Sequence, residues 1–173
     1  MTLEPTVATT FITGYKRLLL EIAGRSRASK KRNVLAVLAA ARHRLTEKPA
    51  LLDEVFAELT ARSDRVDEEI VRAVRTLRVT DWIFLRDTKA YSIFVHPSES
   101  IAFGVLGLTE PVRDIAGSSG VAIETGIVRF AGKFVCDGLI SRIVHLGPSY
   151  RKSFSGVYST AKAEGRFHVR AEA

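Results

Sequence analysis

The spacing of apolar residues changes at Asp81, and this change constrains the fold more than any other feature of the chain. Before it, apolar residues recur at intervals of three and four, which is the period of an α-helix. After it, they alternate with polar residues in runs rich in aromatic and β-branched side chains, as in β-strands. The sequence therefore predicts an α+β protein with a helical N-terminal half and a mostly antiparallel sheet.

The helical half is expected to contain about four helices. The apolar face of the first consists of Val7, Phe11, Tyr15, Leu18, Leu19 and Ile22. A second helix should start near Ser29 and bury Val34, Leu38, Ala41 and Leu45. Pro49 suits the first turn of a third helix, and Asp64 is the expected N-cap of a fourth, within "SDRVDEEIVRAVRTL".

The second half contains six strand candidates before a late helix and a last short strand, "RFHVR". Three, "DWIFLRD", "AYSIFVHP" and "IAFGVLGL", precede the loop "TEPVRDIAGSSG", which has room for one helical turn. The next three, "VAIETGIVRF", "KFVCDG" and "LISRIVHL", are expected to form a meander. Its turns are Ala131-Gly132 and Asp137-Gly138, and an Asp-Gly pair is a strong hairpin signal.

Two subdomains follow from this pattern: a helical one over residues 1–79, and a β-rich one over residues 80–173 with a helix near 149–164. We expect them to pack as one compact unit. Trp82, next to the junction, should then be buried between the helices and the sheet.

Composition indicates a soluble cytoplasmic protein. The longest apolar run, residues 34–41, is far shorter than the roughly 20 residues that span a bilayer, so we expect no membrane partner. The N-terminal residues lack the pattern of a secretory signal. Cys136 is the only cysteine, which fits a reducing compartment, and its position in "KFVCDG" predicts a buried strand residue.

The net charge of +7 favours anionic partners, and one stretch concentrates it: "GRSRASKKR" at residues 24–32. If this stretch binds nucleic acid, its phosphate contacts would be Arg25, Arg27, Lys30, Lys31 and Arg32. It lacks the interleaved aromatic residues that stack on bases. A solvated connection leading into the second helix is the simpler interpretation, and a polyanion contact is the alternative.

The order of elements resembles that of a winged helix: helices near 30–45, 49–60 and 64–78, then a hairpin. Such a unit would place the 64–78 helix in a major groove. That helix, however, begins with Asp64, Asp67, Glu68 and Glu69. These acidic residues would face phosphates, which argues against DNA readout by this helix.

A second candidate for anion binding is "HLGPSYRKS", where a Gly-Pro turn leads into the late helix. Its candidate ligands are Ser149, Arg151, Lys152 and Ser153. Unpaired N–H groups in a first helical turn, together with two cations, suit a phosphate or carboxylate. In the alternative interpretation, Ser149 caps the helix and the cations point to water.

Established catalytic motifs are absent from the sequence. Its four histidines are scattered, so we expect neither a metal nor a cofactor. Asp81, Asp87 and Asp137 lie near predicted strand ends, where carboxylates sometimes converge on a pocket, although turn chemistry explains the last two equally well.

We therefore expect a binding or interaction module with a basic N-terminal half and with nucleic acid as the favoured partner, and the sequence leaves open whether it catalyses a reaction. One alternative is a small enzyme or ligand-binding protein that uses an anion site at residues 147–153 and the strand-end aspartates. Another is a protein–protein adaptor, which would expose a large apolar patch. The sequence leaves the oligomeric state open.

Overall fold

A computed structural model describes residues 1–25 and 33–171 and has helices mostly in its N-terminal half. Its helices are Pro5–Gly24 (α1), Val34–Glu47 (α2), Ala50–Ala61 (α3), Glu68–Arg75 (α4), Val112–Ala116 (α5) and Pro148–Ala163 (α6). Its strands are Arg78–Asp87 (β1), Ser92–Val95 (β2), Ala102–Leu106 (β3), Val121–Phe130 (β4), Lys133–Cys136 (β5), Arg142–His145 (β6) and Phe167–His168 (β7). The predicted α+β class is confirmed, and the helical turn expected in the loop after β3 is α5.

Five of the strands close into a small barrel. β1 pairs antiparallel with both β2 and β4, β2 pairs with β3, and β4 pairs with β5. A parallel pairing of β3 with β5 completes the circuit β1-β2-β3-β5-β4. The fourth strand returns to lie beside the first, which is a Greek-key connection. β6 and β7 extend the sheet from β4 and β3.

Aromatic and aliphatic side chains fill the barrel. Because successive side chains on a strand point to opposite faces, alternate residues of each strand enter the interior. The interior cluster includes Trp82, Phe84, Phe94, Phe103, Val105, Val121, Ile123, Ile127, Phe134 and Cys136, and α5 adds Val112 and Ala116. Cys136 is buried, as the strand pattern predicts.

Helices cover two sides of the barrel. α6 packs Tyr158 and Ala161 against outward-facing residues of β1, β2 and β3, including Ile83, Ile93 and Ala102. On another side, the α1–α4 layer shares a core with the outer faces of β4 and β5, which contribute Val128, Phe130 and Val135. Within the described ranges, no helix is both long and apolar enough to cross a membrane.

The two predicted turns of the meander differ in outcome. Ala131 and Gly132 have positive φ angles of 50° and 69° and join β4 to β5 as a tight hairpin, as predicted. The hairpin expected at Asp137-Gly138 is wrong, because β6 pairs with β4 and not with β5. The carboxylate of Asp137 is instead buried in contacts described below.

Two predicted helix caps are also wrong. Asp67, not Asp64, caps α4 by accepting a hydrogen bond from the Glu69 N–H at 2.8 Å, and Asp64 forms an ion pair with Arg17. At α6 the N-cap is Gly147, which leaves Ser149 inside the helix with no capping role.

Trp82 is fully buried, as predicted, but not where predicted. It lies inside the barrel against Phe103 and His96, with ring centroids 5.6 and 5.3 Å away. The shared core of helices and strands is formed by other residues.

Candidate functional site

A buried ion pair connects the helices to the barrel. Arg42 on α2 and Asp137 after β5 are 1% and 4% exposed, and Arg42 Nη1 lies 3.1 Å from Asp137 Oδ2. Arg42 also donates hydrogen bonds to the Leu139 carbonyl at 2.6 Å and to Ser141 Oγ at 3.1 Å. A buried charge is stable only when paired and hydrogen-bonded, and this pair meets both conditions.

Further donors surround the Asp137 carboxylate. Oδ1 accepts hydrogen bonds from Thr125 Oγ1 and the Gly126 N–H, both at 3.2 Å, and from the Leu139 N–H at 3.0 Å. Oδ2 accepts one from the Tyr15 hydroxyl at 3.1 Å. A Cβ at Gly126 would clash with the carboxylate, so this close approach requires glycine. With its lone pairs occupied, Asp137 serves as an anchor and is not free to act as a general base.

Two ionisable neighbours of Asp137 are held neutral. Burial, reinforced by the negative charge of Asp137, raises the pKa of the Tyr15 hydroxyl well above its usual value. The same two causes raise the pKa of the Cys136 thiol to about 11. Because a thiolate is the reactive form of cysteine, Cys136 is not an activated nucleophile at neutral pH.

A cleft of about 310 Å³ opens above this cluster, and we call it the helix–loop cleft. It lies between α1, the start of α2, the loop after β3 and the turn after β5. Its apolar walls include Ile12, Leu19, Leu38 and Leu108. Tyr15 and Asp137 also line it, so buried polar groups meet a mainly apolar cavity.

The rim of the helix–loop cleft exposes apolar side chains. Val34 and Leu35, in the first turn of α2, are 55% and 61% exposed, and Ile115 is 36% exposed. All three line the cleft. Single exposed apolar residues are ordinary, whereas several around one concavity are typical of a binding site.

Among the described residues, the charges that line the helix–loop cleft cancel. Lys16 and Glu110 line it with opposite signs, and the charge of Asp137 is neutralised by Arg42. The described lining therefore favours neither sign of ligand charge.

The basic stretch is only partly covered by the structure. Arg27, Lys30, Lys31 and Arg32 lie outside the described residues. Arg25 is described, and its guanidinium contacts Glu54 at 2.8 Å and Glu58 at 2.6 Å, both on α3. A phosphate would have to compete with these two carboxylates for Arg25.

The order α2, α3, α4, β1, β2 follows the winged-helix order, but β1 and β2 are walls of the barrel. The hairpin is therefore not a separate wing. Of the four acids expected at the start of the 64–78 helix, Glu68 and Glu69 occupy the first turn of α4 and Asp67 is its N-cap, whereas Asp64 lies before the helix.

The four predicted anion ligands all lie in the first turns of α6. Ser149, Lys152 and Ser153 are exposed there. Arg151 is also exposed, and it donates from Nε to the Leu146 carbonyl at 2.9 Å. It lies so close to Gly120 that a Cβ there would be 2.8 Å from Nε, so Arg151 secures the loop before α6.

The strand-end aspartates do not converge. Asp81 pairs with Arg142, Asp87 with Arg113 at 2.7 Å, and Asp137 with Arg42. Asp81 and Asp87 lie six residues apart on β1, which is about 20 Å along a strand. Within the described ranges, no group of three His, Cys, Asp or Glu side chains is arranged to hold a metal ion.

Sequence reasoning missed Arg42 and Tyr15 as partners of Asp137. One signal was available, because Arg42 follows Ala41 and lies four residues after Leu38, within the buried face of α2. A charged residue inside an apolar stripe predicts a buried partner. The sequence does not reveal which carboxylate that partner is.

No family model matches the chain, and no curated protein or solved structure matches it.

Proposed function

We propose that this protein binds an uncharged, mainly apolar small molecule in the helix–loop cleft. The observation that carries the proposal is the combination of apolar walls, an exposed apolar rim and a buried polar cluster in one cavity. A concave, largely apolar pocket with a few converging polar groups is the usual form of a small-molecule site.

Size and charge restrict the ligand. The cavity of about 310 Å³ is at the lower end of the range of small-molecule pockets, roughly 300–1,000 Å³. Since Lys16 and Glu110 balance each other and Arg42 neutralises Asp137, a charged ligand would leave water without gaining an unbalanced opposite charge from the described lining residues.

The chemistry of the cleft supports binding and not catalysis. Asp137 is occupied by donors, and Tyr15 is held protonated by burial and by that carboxylate. General acid–base catalysis at neutral pH needs a group whose pKa lies near 7 and whose proton can reach a substrate. The pKa of Tyr15 lies well above 7, and the carboxylate oxygens of Asp137 are already engaged by donors within the protein.

A fluorescent probe tests the proposal. N-phenyl-1-naphthylamine is uncharged, apolar and bright only in apolar surroundings, so a filled cleft should give a saturable rise in its emission. Leu35→Asp places a charge on the exposed rim and should weaken binding by about tenfold or more, because burying an unpaired carboxylate is costly.

Leu20→Asp is the matched control. Leu20 is also an exposed leucine on a helix, at 38%, and it does not line the cleft. This variant should bind the probe like the wild type. Equal binding by Leu35→Asp, or no saturable emission from the wild type, would refute the proposal.

Nucleic acid is a second candidate partner. Its support is the net charge of +7 and the five-stranded Greek-key barrel, an architecture that includes the oligonucleotide-binding OB-fold. The β2–β3 face that OB-folds use is covered here by α6. Contacts would therefore run through the basic stretch at residues 24–32.

Salt dependence tests this candidate. With three to five phosphate contacts, log affinity should fall with log salt at a slope of roughly −2 to −4.5. Changing Lys30, Lys31 and Arg32 to Gln should flatten that slope by about 2 to 3. The matched control changes three ion-paired arginines, Arg62, Arg75 and Arg142. Equal flattening by the control, or no binding at low salt, would exclude the candidate.

A further inference from the structure

Two adjoining clefts lie at the barrel end where β1 begins and β4 ends, and we call them together the barrel mouth. The inner cleft, about 90 Å³, is lined by residues that include Arg78, Trp82, Phe103 and Phe134. The outer cleft, about 410 Å³, is lined by residues that include Glu69, Arg72, Phe130 and Ala131. Thr76 and Arg129 line both, so the two clefts share a boundary.

A residue in the wall of the inner cleft, Trp82, has a buried donor without an acceptor among the described residues. Trp82 is fully buried, and its indole Nε1 has no hydrogen-bond partner among the described residues. The nearest rings, Phe103 and His96, lie edge-to-face to it, and an aromatic face is a weak acceptor. A buried N–H without a partner is costly and rare in native proteins, so this one calls for an acceptor.

Two arginines at the barrel mouth also lack a carboxylate partner among the described residues. Within the described ranges, neither Arg72 nor Arg129 forms an ion pair, whereas Arg78 pairs with Glu99. The Arg78 guanidinium also lies 5.6 Å from the Trp82 ring centroid. Among the described residues that line either cleft, Glu69 is the one acid. Within the described ranges, the positive charge of Arg72 and Arg129 therefore exceeds the negative charge of the lining.

We propose that the barrel mouth binds a small organic anion: a carboxylate on an apolar body. Arginine side chains and an indole N–H are donors that a carboxylate accepts well. The inner cleft has room for a carboxylate, and the outer cleft, with Phe130 and Ala131, has room for an apolar body. Barrel mouths are common ligand sites. This site differs from the helix–loop cleft in place and in ligand charge.

The only tryptophan of the chain reports directly on this site. Titration with benzoate should change Trp82 fluorescence in a saturable way. Benzamide has the same shape without the charge. Its affinity should be lower than that of benzoate by about tenfold or more, as expected for the loss of charged hydrogen bonds. Inorganic phosphate has charge without an apolar body and should also bind more weakly than benzoate.

Each alternative result overturns part of the proposal. Equal binding of benzamide would remove the charge requirement, and phosphate binding as tight as that of benzoate would make this an inorganic-anion site. No saturable change with any probe, together with no heat of binding by calorimetry, would leave water as the acceptor for Trp82.

Substitutions test whether benzoate binds at the barrel mouth. Arg129 is exposed, so Arg129→Gln should leave the fold intact while weakening benzoate by about tenfold or more. Arg142→Gln, which removes an exposed arginine paired with Asp81, is the matched control and should leave affinity unchanged. Trp82→Phe keeps a ring without the N–H and should also weaken benzoate, as measured by calorimetry. Equal affinity in Arg129→Gln and Arg142→Gln would refute the site.

Discussion

The helix–loop cleft and the barrel mouth each contain a deeply buried polar group, yet the two groups are treated in opposite ways. Asp137 accepts hydrogen bonds from Arg42, Tyr15, Thr125 and two backbone N–H groups. The Trp82 N–H has no described partner. Around the first group the charges cancel, whereas around the second two arginines lack counter-ions among the described residues.

Burial of a polar group does not by itself identify a functional site. A buried polar group that the protein itself satisfies is evidence of structure, because its partners account for it. Asp137 therefore explains how the helices hold the barrel, and the apolar cavity above it is the feature that we propose as a binding site. The buried donor of Trp82, which has no partner among the described residues, is one of the observations behind the proposed anion site.

The largest expected effect comes from breaking the buried pair of Arg42 and Asp137. Arg42→Met should lower the free energy of unfolding by about 3–5 kcal/mol, because it leaves Asp137 buried and uncompensated. Urea denaturation measures this change. Asp81→Asn, which breaks the exposed pair with Arg142, should leave the unfolding midpoint unchanged. Equal losses in the two variants would mean that Asp137 is not the anchor described here.

A smaller loss of unfolding free energy is expected when the unpartnered N–H of Trp82 is removed. Trp82→Phe gives up packing volume but no hydrogen bond, so it should cost about 1–2 kcal/mol, less than half the loss in Arg42→Met. The same urea experiment measures it. A loss as large as that of Arg42→Met would show that the indole N–H has a strong partner in the free protein.

The smallest effect is a pH dependence beside Trp82. Burial lowers the pKa of His96 below its usual 6.5, and this outweighs the opposing effect of Glu99; Arg78 acts in the same direction as burial. The unfolded state therefore binds a proton more readily than the native state. Stability from this group is present above about pH 6.5 and is lost as the pH falls toward the lowered native pKa.

Thermal unfolding in a pH series tests this effect. His96→Gln should reduce the fall in stability between about pH 7 and pH 5. An unchanged pH profile in His96→Gln would assign the fall to other groups.

The sequence predicts the elements well because they depend on local patterns. The helical period of α1, the alternation in β1 and the turn at Ala131-Gly132 are all visible within short windows. The barrel is not, since its closure depends on the pairing of β1 with β4 and of β3 with β5, which are far apart in the chain.

The same limit applies to the candidate sites. Asp137-Gly138 has the local signature of a hairpin, but Arg42, 95 residues away, takes its carboxylate into a buried pair. Trp82 is predictable as a buried residue, whereas its missing acceptor follows only from where the barrel places its neighbours. A residue departs from its local propensity where a contact with a distant partner stabilises it more than the local turn would.

One NMR experiment tests the contrast between the two clefts most directly. A ¹⁵N–¹H correlation spectrum of the full chain is recorded with N-phenyl-1-naphthylamine and then with benzoate. The single indole N–H gives one resolved peak, which benzoate should shift together with the Arg129 amide. The apolar probe should leave that peak in place and shift the amides of Leu35 and Leu139. If both compounds perturb the same residues, or the indole peak moves with neither, the account of two clefts with opposite ligand preferences is wrong.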